Sequence, residues 1–256
     1  MNLKLGKLHK GLKTLFVKHD IHESHGIAHA GTVMENGEKM IKSEKKRSLS
    51  LNEKLIILSA CLLHDADDGK LFPTNKNDEN MRAIAKDILT QEEIETVALC
   101  IGLVSASKNG DSRPSTDEKT GRSIEWWMFI PREADRLDAI GYNGALRCIS
   151  YSEMKNTPVV ATTTILAKTR SDIAKIATPE RFAEYMKRGG KSESVIDHIY
   201  DKLWGLLRDS DNPYVKTQVV EGRKILEDLV MFATRCAKDG VELTHKMAVV
   251  FLNASR

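Results

Sequence analysis

His29, the adjacent pair His64-Asp65 and Asp135 carry nitrogen and oxygen atoms of the kinds that bind divalent metal ions, and they occur in that order along the chain. Each lies on a stretch whose apolar spacing reads as helix, so one bundle can bring all four to a common ion. His64-Asp65 carries the most weight. The pair ends the apolar run Leu55-Ile56-Ile57-Leu58-Ser59-Ala60-Cys61-Leu62-Leu63, which must be buried nearly all round. A desolvated carboxylate beside an imidazole is costly unless paired or coordinated, and a divalent cation satisfies both while keeping the imidazole neutral. The alternative is a helix end that emerges into water, where His and Asp cost nothing. His19-Asp20 serves as an internal control, since it follows no comparable run and reads as surface.

The other two positions have ordinary readings when taken singly. His29 is one turn before Val33 on a stripe that continues through Met34, Gly37, Met40 and Ile41, so it could be a satisfied core histidine. Asp135 sits among Ala134, Leu137, Ala139 and Ile140, where a buried aspartate salt-bridged to Arg132 or Arg136 is the simple account. All four residues in this order ask for a common explanation.

The pattern His29…His64-Asp65…Asp135, with Leu-Leu-His-Asp-Ala-Asp-Asp-Gly-Lys after a buried helix and Ala-Asp-Arg-Leu-Asp-Ala-Ile-Gly later, resembles the HD-domain superfamily of metal-dependent phosphohydrolases. Within it the chain is most similar to an uncharacterised bacterial and fungal-type branch, which shares a later stretch like the one from Gly189 to Leu203. Matching segments run from about Ser24 to Leu203. One residue departs from the pattern: many members of the branch have arginine just before the valine that follows the first histidine, and here that residue is Thr32. His25, one turn before His29, competes with it as first ligand, and the family's histidine-to-valine spacing favours His29.

The resemblance implies an all-α fold, a helical bundle with a mononuclear metal site in its core, as one domain over residues 1–256. The metal core would lie at about residues 20–150, with helices at about 160–256 completing the pocket. It implies that His29, His64, Asp65 and Asp135 ligate one divalent ion. Mixed nitrogen and oxygen ligation suits manganese, cobalt, nickel or iron ahead of zinc or magnesium. A single ion is expected because no histidine occurs from Ala66 to Ala134, and a second cation needs neutral donors of its own. Some superfamily members place a catalytic acid where Asp68 stands. If the helix continues one more turn, Asp68 shares a face with Asp65, making it the first candidate for general acid or base, with Asp67 second. Lys70 is the cation best placed for a phosphate. Lys108, Arg136, His198 and Lys202 are candidates for substrate contact, with Asp201 beside the last two; each also reads as surface charge, an ion-pair partner or, for His198, a helix-surface group bridged to Asp197. Trp126-Trp127 could stack a base, although helix packing is the simpler role.

The substrate expected is a nucleotide or another small phosphorylated metabolite, hydrolysed as a monoester or at a pyrophosphate bond. A guanosine tetraphosphate hydrolase is disfavoured because that match is confined to the metal motif and the Ala-Asp-Arg-Leu segment. A di-iron oxygenase needs more histidines. The rival from another class is a non-catalytic sensor that keeps the metal or nucleotide site without turnover.

The elements that must position these side chains are helical. Ser50-Leu51-Asn52-Glu53 is a capping box opening the helix that delivers His64, and Thr178-Pro179-Glu180 sets an N-cap with proline at the first helical position. Amphipathic stretches also read from Glu92 to Val104, Ile124 to Ser150, Ser192 to Leu207, Tyr214 to Lys238 and Val241 to Leu252. Loop signals concentrate at Ser105–Arg122 and Gly69–Asp78, both candidate substrate loops.

Composition agrees with an ordinary soluble globular protein: 256 residues, 41% hydrophobic, formal charge +3. The one basic cluster, Lys42 to Arg47, is short and contains an acid, which disfavours nucleic acid as a partner. Cys61, Cys100, Cys148 and Cys236 show no paired spacing and read as reduced core thiols of a cytoplasmic protein. No segment resembles a signal peptide or reaches the roughly 20 apolar residues of a membrane span. A homo-oligomer stays open.

Overall fold

Apolar residues recur three and four apart along almost the whole chain, and the computed structural model accordingly is all-α. It describes residues 1–22 and 26–255 and, at Ser107, the backbone alone. Among the described residues no strand forms; Thr116 and Ser123 make an isolated antiparallel bridge. Among the described residues no helix is long and apolar enough to cross a membrane. The chain divides into two compact units.

The first unit comprises residues 1–135 with 212–214. It holds α1 (Asn2–Lys18), α2 (Ile27–Ser43), α3 (Leu51–Leu63), α4 (Glu79–Ala85), α5 (Gln91–Gly102), the short α6 (Ala106–Asn109), a 3-10 turn at Trp126–Phe129 and the first half of α7 (Ile130–Ile140). Helix α3 is central, packing against α1, α2, α5 and the 3-10 turn. That explains why every residue from Leu55 to Leu63 is buried. Its start is the expected capping box: Ser50 Oγ accepts from Glu53 N at 3.2 Å and Glu53 Oε2 accepts from Ser50 N at 2.6 Å. Thr90 and Glu93 form a second box at α5. Helices α2 and α3 approach closely because Gly37 has no side chain, and a Cβ there would stand 2.8 Å from Cys61 Sγ. The segment 212–214 docks on α2: Asn212 Oδ1 accepts from Ser43 Oγ at 2.9 Å, and Asn212 Nδ2 donates to Met40 O at 3.1 Å.

The second unit comprises residues 136–211 with 215–256. It contains the rest of α7, α8 (Tyr142–Met154), α9 (Arg170–Ile176), α10 (Pro179–Lys187), α11 (Val195–Asp201), a 3-10 turn at Leu203–Gly205, α12 (Pro213–Lys238) from Val215 onward, and α13 (His245–Ala254). Thr178 caps α10 with Pro179 at its first position, as its sequence predicts. The stretch from Ile124 to Ser150, which reads as one amphipathic helix, is three elements. It breaks at Gly141 because α8 turns back so tightly that a Cβ on Gly144 would meet Ala139 O at 2.2 Å. The stretch from Ser192 to Leu207 likewise divides, into α11, which Ser194 caps through Asp197 N, and the 3-10 turn at Leu203–Gly205.

Gly222 on α12 lies against the end of α7, where a Cβ would meet the Ile140 carbonyl oxygen at 2.7 Å. Backbone cannot yield as a side-chain tip can. Gly222→Ala should therefore lower unfolding free energy by about 1–3 kcal/mol, the usual scale for overpacking, read as a lower urea midpoint at unchanged slope. An unchanged midpoint would show that α12 can shift freely here.

Candidate metal centre

Three helix segments of the first unit deliver the four predicted side chains to one place. His29 stands in the first turn of α2, His64 is the residue that ends α3, Asp65 follows it, and Asp135 is on α7. His29 Nε2 lies 3.2 Å from His64 Nε2, 3.3 Å from Asp135 Oδ1 and 3.7 Å from Asp65 Oδ2. His64 Nε2 lies 3.4 Å from Asp65 Oδ1 and 3.6 Å from Asp135 Oδ1. Donor atoms of His29, His64 and Asp135 all lie within 4.8 Å of one another, so these three form a group that can hold a metal ion. Asp65 meets the two histidines with different carboxylate oxygens. His25 lies outside the described residues.

The donor chemistry favours a cation at this point. His64 Nδ1 is 2.9 Å from the Cys61 carbonyl oxygen, which only accepts, so Nδ1 carries the proton and a neutral His64 presents a bare lone pair at Nε2. That lone pair faces His29 Nε2 and the carboxylates of Asp65 and Asp135. Ligands about 2.1 Å from a shared ion stand roughly 3.0 Å apart at right angles and roughly 3.4 Å apart at tetrahedral angles. The observed 3.2–3.7 Å is close to that range. The histidine side chains are 3% exposed, Asp65 11% and Asp135 29%, so the group is closed at the imidazoles and opens toward Asp135. Burial pushes the Cys61 thiol well above its usual value, and Cys100 and Asp135 add to the effect.

The residues after the pair differ from the expectation. Helix α3 ends at Leu63 and the chain continues in turns, with Ala66 N donating to Leu63 O and Asp68 N to Asp65 O. Asp68 is therefore not on a helix face with Asp65. It is half-buried, and its Oδ1 accepts from Lys70 N at 2.8 Å. Asp67 has a structural assignment: its carboxylate accepts from Asn75 Nδ2 at 2.8 Å and from the backbone nitrogens of Asn80 and Met81 at 2.9 and 2.8 Å. It thus holds the first turn of α4, a favourable place for negative charge. Lys70 and Lys108 are exposed, Lys108 on α6. Arg136 is buried and begins the second unit.

His198 is on α11, with Nδ1 3.3 Å from Ser192 Oγ and its ring edge against Tyr185. Lys202 has left the helical conformation at φ −136°. Asp197 and Asp201, expected beside them, are buried and bridged by Arg181 at 2.6 and 2.5 Å. Arg47 covers one face of Trp126 at 3.8 Å from the ring centroid, and Trp127 is buried. His19 and Asp20 are exposed, as the control requires.

Sequence reasoning passed over Asn36. It lies seven residues after His29 on the same face of α2, and its Nδ2 donates to Ala134 O at 3.2 Å, next to Asp135. A buried polar residue on the stripe that carries His29 was the available signal. Arg113 and Arg132 were also missed as anchors of the 105–122 loop: Arg113 pairs with Glu133, and Arg132 Nη1 donates to Ser112 O at 2.7 Å.

A protein of Acanthamoeba polyphaga mimivirus, the uncharacterized protein L803, is 37% identical over 192 residues, covering 68% of this chain and 75% of its own. Crystal structures with the same fold include a protein of Lactobacillus plantarum (TM-score 0.65, 18% identity, 93% of this chain and 99% of that one) and the Lin1889 protein of Listeria innocua (0.57, 20%, 92% and 97%). A third is an HD-superfamily hydrolase of Bacillus thuringiensis (0.59, 18%, 93% and 97%). The chain belongs to one family with the mimivirus protein, and it has the HD-domain fold. No protein-family profile matches it.

Two substitutions separate metal holding from structure. His64→Ala should remove most bound metal from the protein while circular dichroism stays helical, and elemental analysis of the metal-saturated wild type should give one ion per chain. Full metal content in the variant, or two ions in the wild type, would overturn the site. Asp67→Ala should instead cost about 1–2 kcal/mol, as the loss of a helix cap does, with metal per folded molecule unchanged.

Proposed function

We propose that this HD protein is a metal-dependent phosphohydrolase acting on a nucleotide or another small phosphorylated metabolite. In this reading His29, His64, Asp65 and Asp135 hold one divalent ion. The observation that carries it is the convergence of two imidazole nitrogens and two carboxylates, with the His64 lone pair aimed inward by the Cys61 carbonyl. The likeness to an HD-superfamily hydrolase supports the reaction class. Manganese, cobalt, nickel or iron suits the donor set ahead of zinc or magnesium. When bound, such an ion lowers the pKa of a coordinated water and offsets charge developing on phosphorus.

The protein's own groups do the rest. Asp65 and Asp135 place carboxylate oxygens beside the two imidazole nitrogens and supply the negative charge that a cation neutralises. Asp68 is the candidate for moving the proton: Lys70 N fixes one of its oxygens, and the other has no protein partner among the described residues. Lys70 and Lys108, exposed and without acidic partners among the described residues, are the first candidates to meet a phosphate. Arg136, His198 and Lys202 are further candidates, each to be tested singly.

The deciding assay presents nucleotides and sugar phosphates with manganese, magnesium, cobalt and nickel, measuring released phosphate and pyrophosphate. Turnover should be lost in His64→Ala. Asp68→Asn should keep metal and substrate affinity and lose roughly 10²-fold or more in turnover, the usual scale for a general acid or base. Lys70→Ala should mainly raise KM. Metal binding with no turnover on any substrate would replace this reading with a non-catalytic sensor, and wild-type turnover in Asp68→Asn would return that residue to a turn-forming role.

A further inference from the structure

Two arginines of the second unit converge on one short turn. Arg223, on α12, donates Nη2–H to Leu206 O at 3.3 Å and lies 5.5 Å from the centroid of the Trp204 ring. The Arg208 guanidinium stands 3.8–4.0 Å from the point where a side chain on Gly205 would begin, and its Nη2–H donates to Ala177 O at 2.7 Å. The turn between them is sharp, because the buried Leu207 holds φ at +60°, a left-handed conformation that branched residues avoid. Structures keep such strain where the surroundings impose it, commonly at functional sites.

Neither guanidinium has an acidic partner at ion-pair distance among the described residues. Each carries five N–H donors, and each uses one on a carbonyl. The Nε of Arg223 is buried with no acceptor. Glu227 is one turn along α12 from Arg223, but its carboxylate is bound by Arg170 at 3.0 Å, and Arg170 also binds Asp228. Burial first and then the charge of Arg208 pull Arg223 below the usual arginine range, with Glu227 acting in the opposite sense. Like charges that share a half-buried turn are costly, and an anion bound between them removes that cost while filling the vacant donors. Arginine's planar fork matches the paired oxygens of phosphate better than a lysine does.

We propose that Arg208 and Arg223, anchored on the turn Trp204–Leu207, form a binding site for a phosphate-type oxyanion, distinct in its residues from the His29–His64–Asp65–Asp135 group. The ligand chemistry is a phosphate group and not a nucleobase, since Trp204 is 9% exposed and Arg223 lies over its ring. Free phosphate, pyrophosphate and the phosphate tail of a nucleotide all carry that group. This site is independent of the proposed hydrolysis.

The test is calorimetric titration of the full-length, chelator-treated protein with inorganic phosphate, pyrophosphate and a nucleoside diphosphate, in wild type, Arg208→Gln, Arg223→Lys and His64→Ala. Wild type and His64→Ala should show saturable binding of at least one of these with equal affinity. Arg208→Gln should weaken it roughly tenfold or more, the scale of a lost charge-assisted contact. Arg208 is exposed and its loss should be tolerated by the fold; if that variant fails to fold, Arg223→Lys, which keeps the charge and removes the fork, is read in its place. Tightest binding of inorganic phosphate identifies the free ion as the ligand, and tighter binding of the nucleoside diphosphate identifies the phosphate tail. No saturable binding in wild type, an unchanged affinity in the arginine variant, or loss of binding in His64→Ala overturns the proposal. None of these outcomes alters metal content, so the metal reading stands or falls separately.

Discussion

The hydrogen bond between His64 Nδ1 and the Cys61 carbonyl is where packing becomes chemistry in this chain. The last carbonyls of any helix lack partners within it. At the end of α3 one of them is satisfied by the imidazole that follows, and the same bond fixes which nitrogen bears the proton. Everything around α3 holds that bond in place. The helix is enclosed by α1, α2, α5 and the 3-10 turn, so it has little freedom to slide or roll. The approach of α2 at Gly37 sets how near His29, two turns earlier, can come to His64. A side chain at Gly37 would push α2 away at Cys61, the residue whose carbonyl holds His64.

From the His-Asp pair onward, three aspartates within four positions differ in role through their backbone surroundings. Asp65 faces the histidines, Asp67 turns the other way to receive the first amides of α4, and Asp68 is bound by its own turn. Asn80 adds a second tie, donating Nδ2–H to Ala66 O at 2.8 Å. The turn that carries the pair is therefore fixed at both ends, by the helix before it and by α4 after it. A loop so constrained loses little entropy when a cation draws its carboxylate inward.

The helices were legible in the sequence from their apolar period, and His64-Asp65 from its place at the end of a buried run; His29 and Asp135 joined them through the order of the four residues and the resemblance it carries. What was not legible depended on backbone groups, which carry no sequence signature. The Cys61 and Ala134 carbonyls orient His64 and anchor Asn36, yet any residue type could supply them. The shared face expected for Asp68 failed for a related reason, since ending α3 at Leu63 lets Asp67 reach the amides of α4. Long-range tertiary demand also cut the Ile124–Ser150 stretch at Gly141, where periodicity alone saw one helix. The family-like stretch around His198 reads differently once Arg181 is seen to bridge Asp197 and Asp201, which gives those carboxylates a structural use.

Charge accounting limits how the metal group can recognise a phosphate. Two neutral imidazoles and two carboxylates around one divalent ion sum to zero, so the filled group has no net attraction for an anion at long range. Affinity for a phosphorylated ligand then has to come from coordination at the ion and from cations outside the four residues. The group is most open at Asp135, and one helical turn before Asp135 on α7 Arg132 grips the Ser112 carbonyl. That contact, together with the pairing of Arg113 with Glu133, ties the 105–122 loop to the same helix that carries the exposed ligand candidate. Arg113 and Arg132 both lie against Phe129, which sets the loop's footing in apolar surroundings and keeps those guanidiniums engaged in holding the chain. Under the proposed phosphohydrolase reading, the positive charge offered to a phosphate in the first unit would consequently come from exposed lysines such as Lys70 and Lys108. Recognition by flexible point charges discriminates weakly among phosphate esters compared with a planar arginine fork.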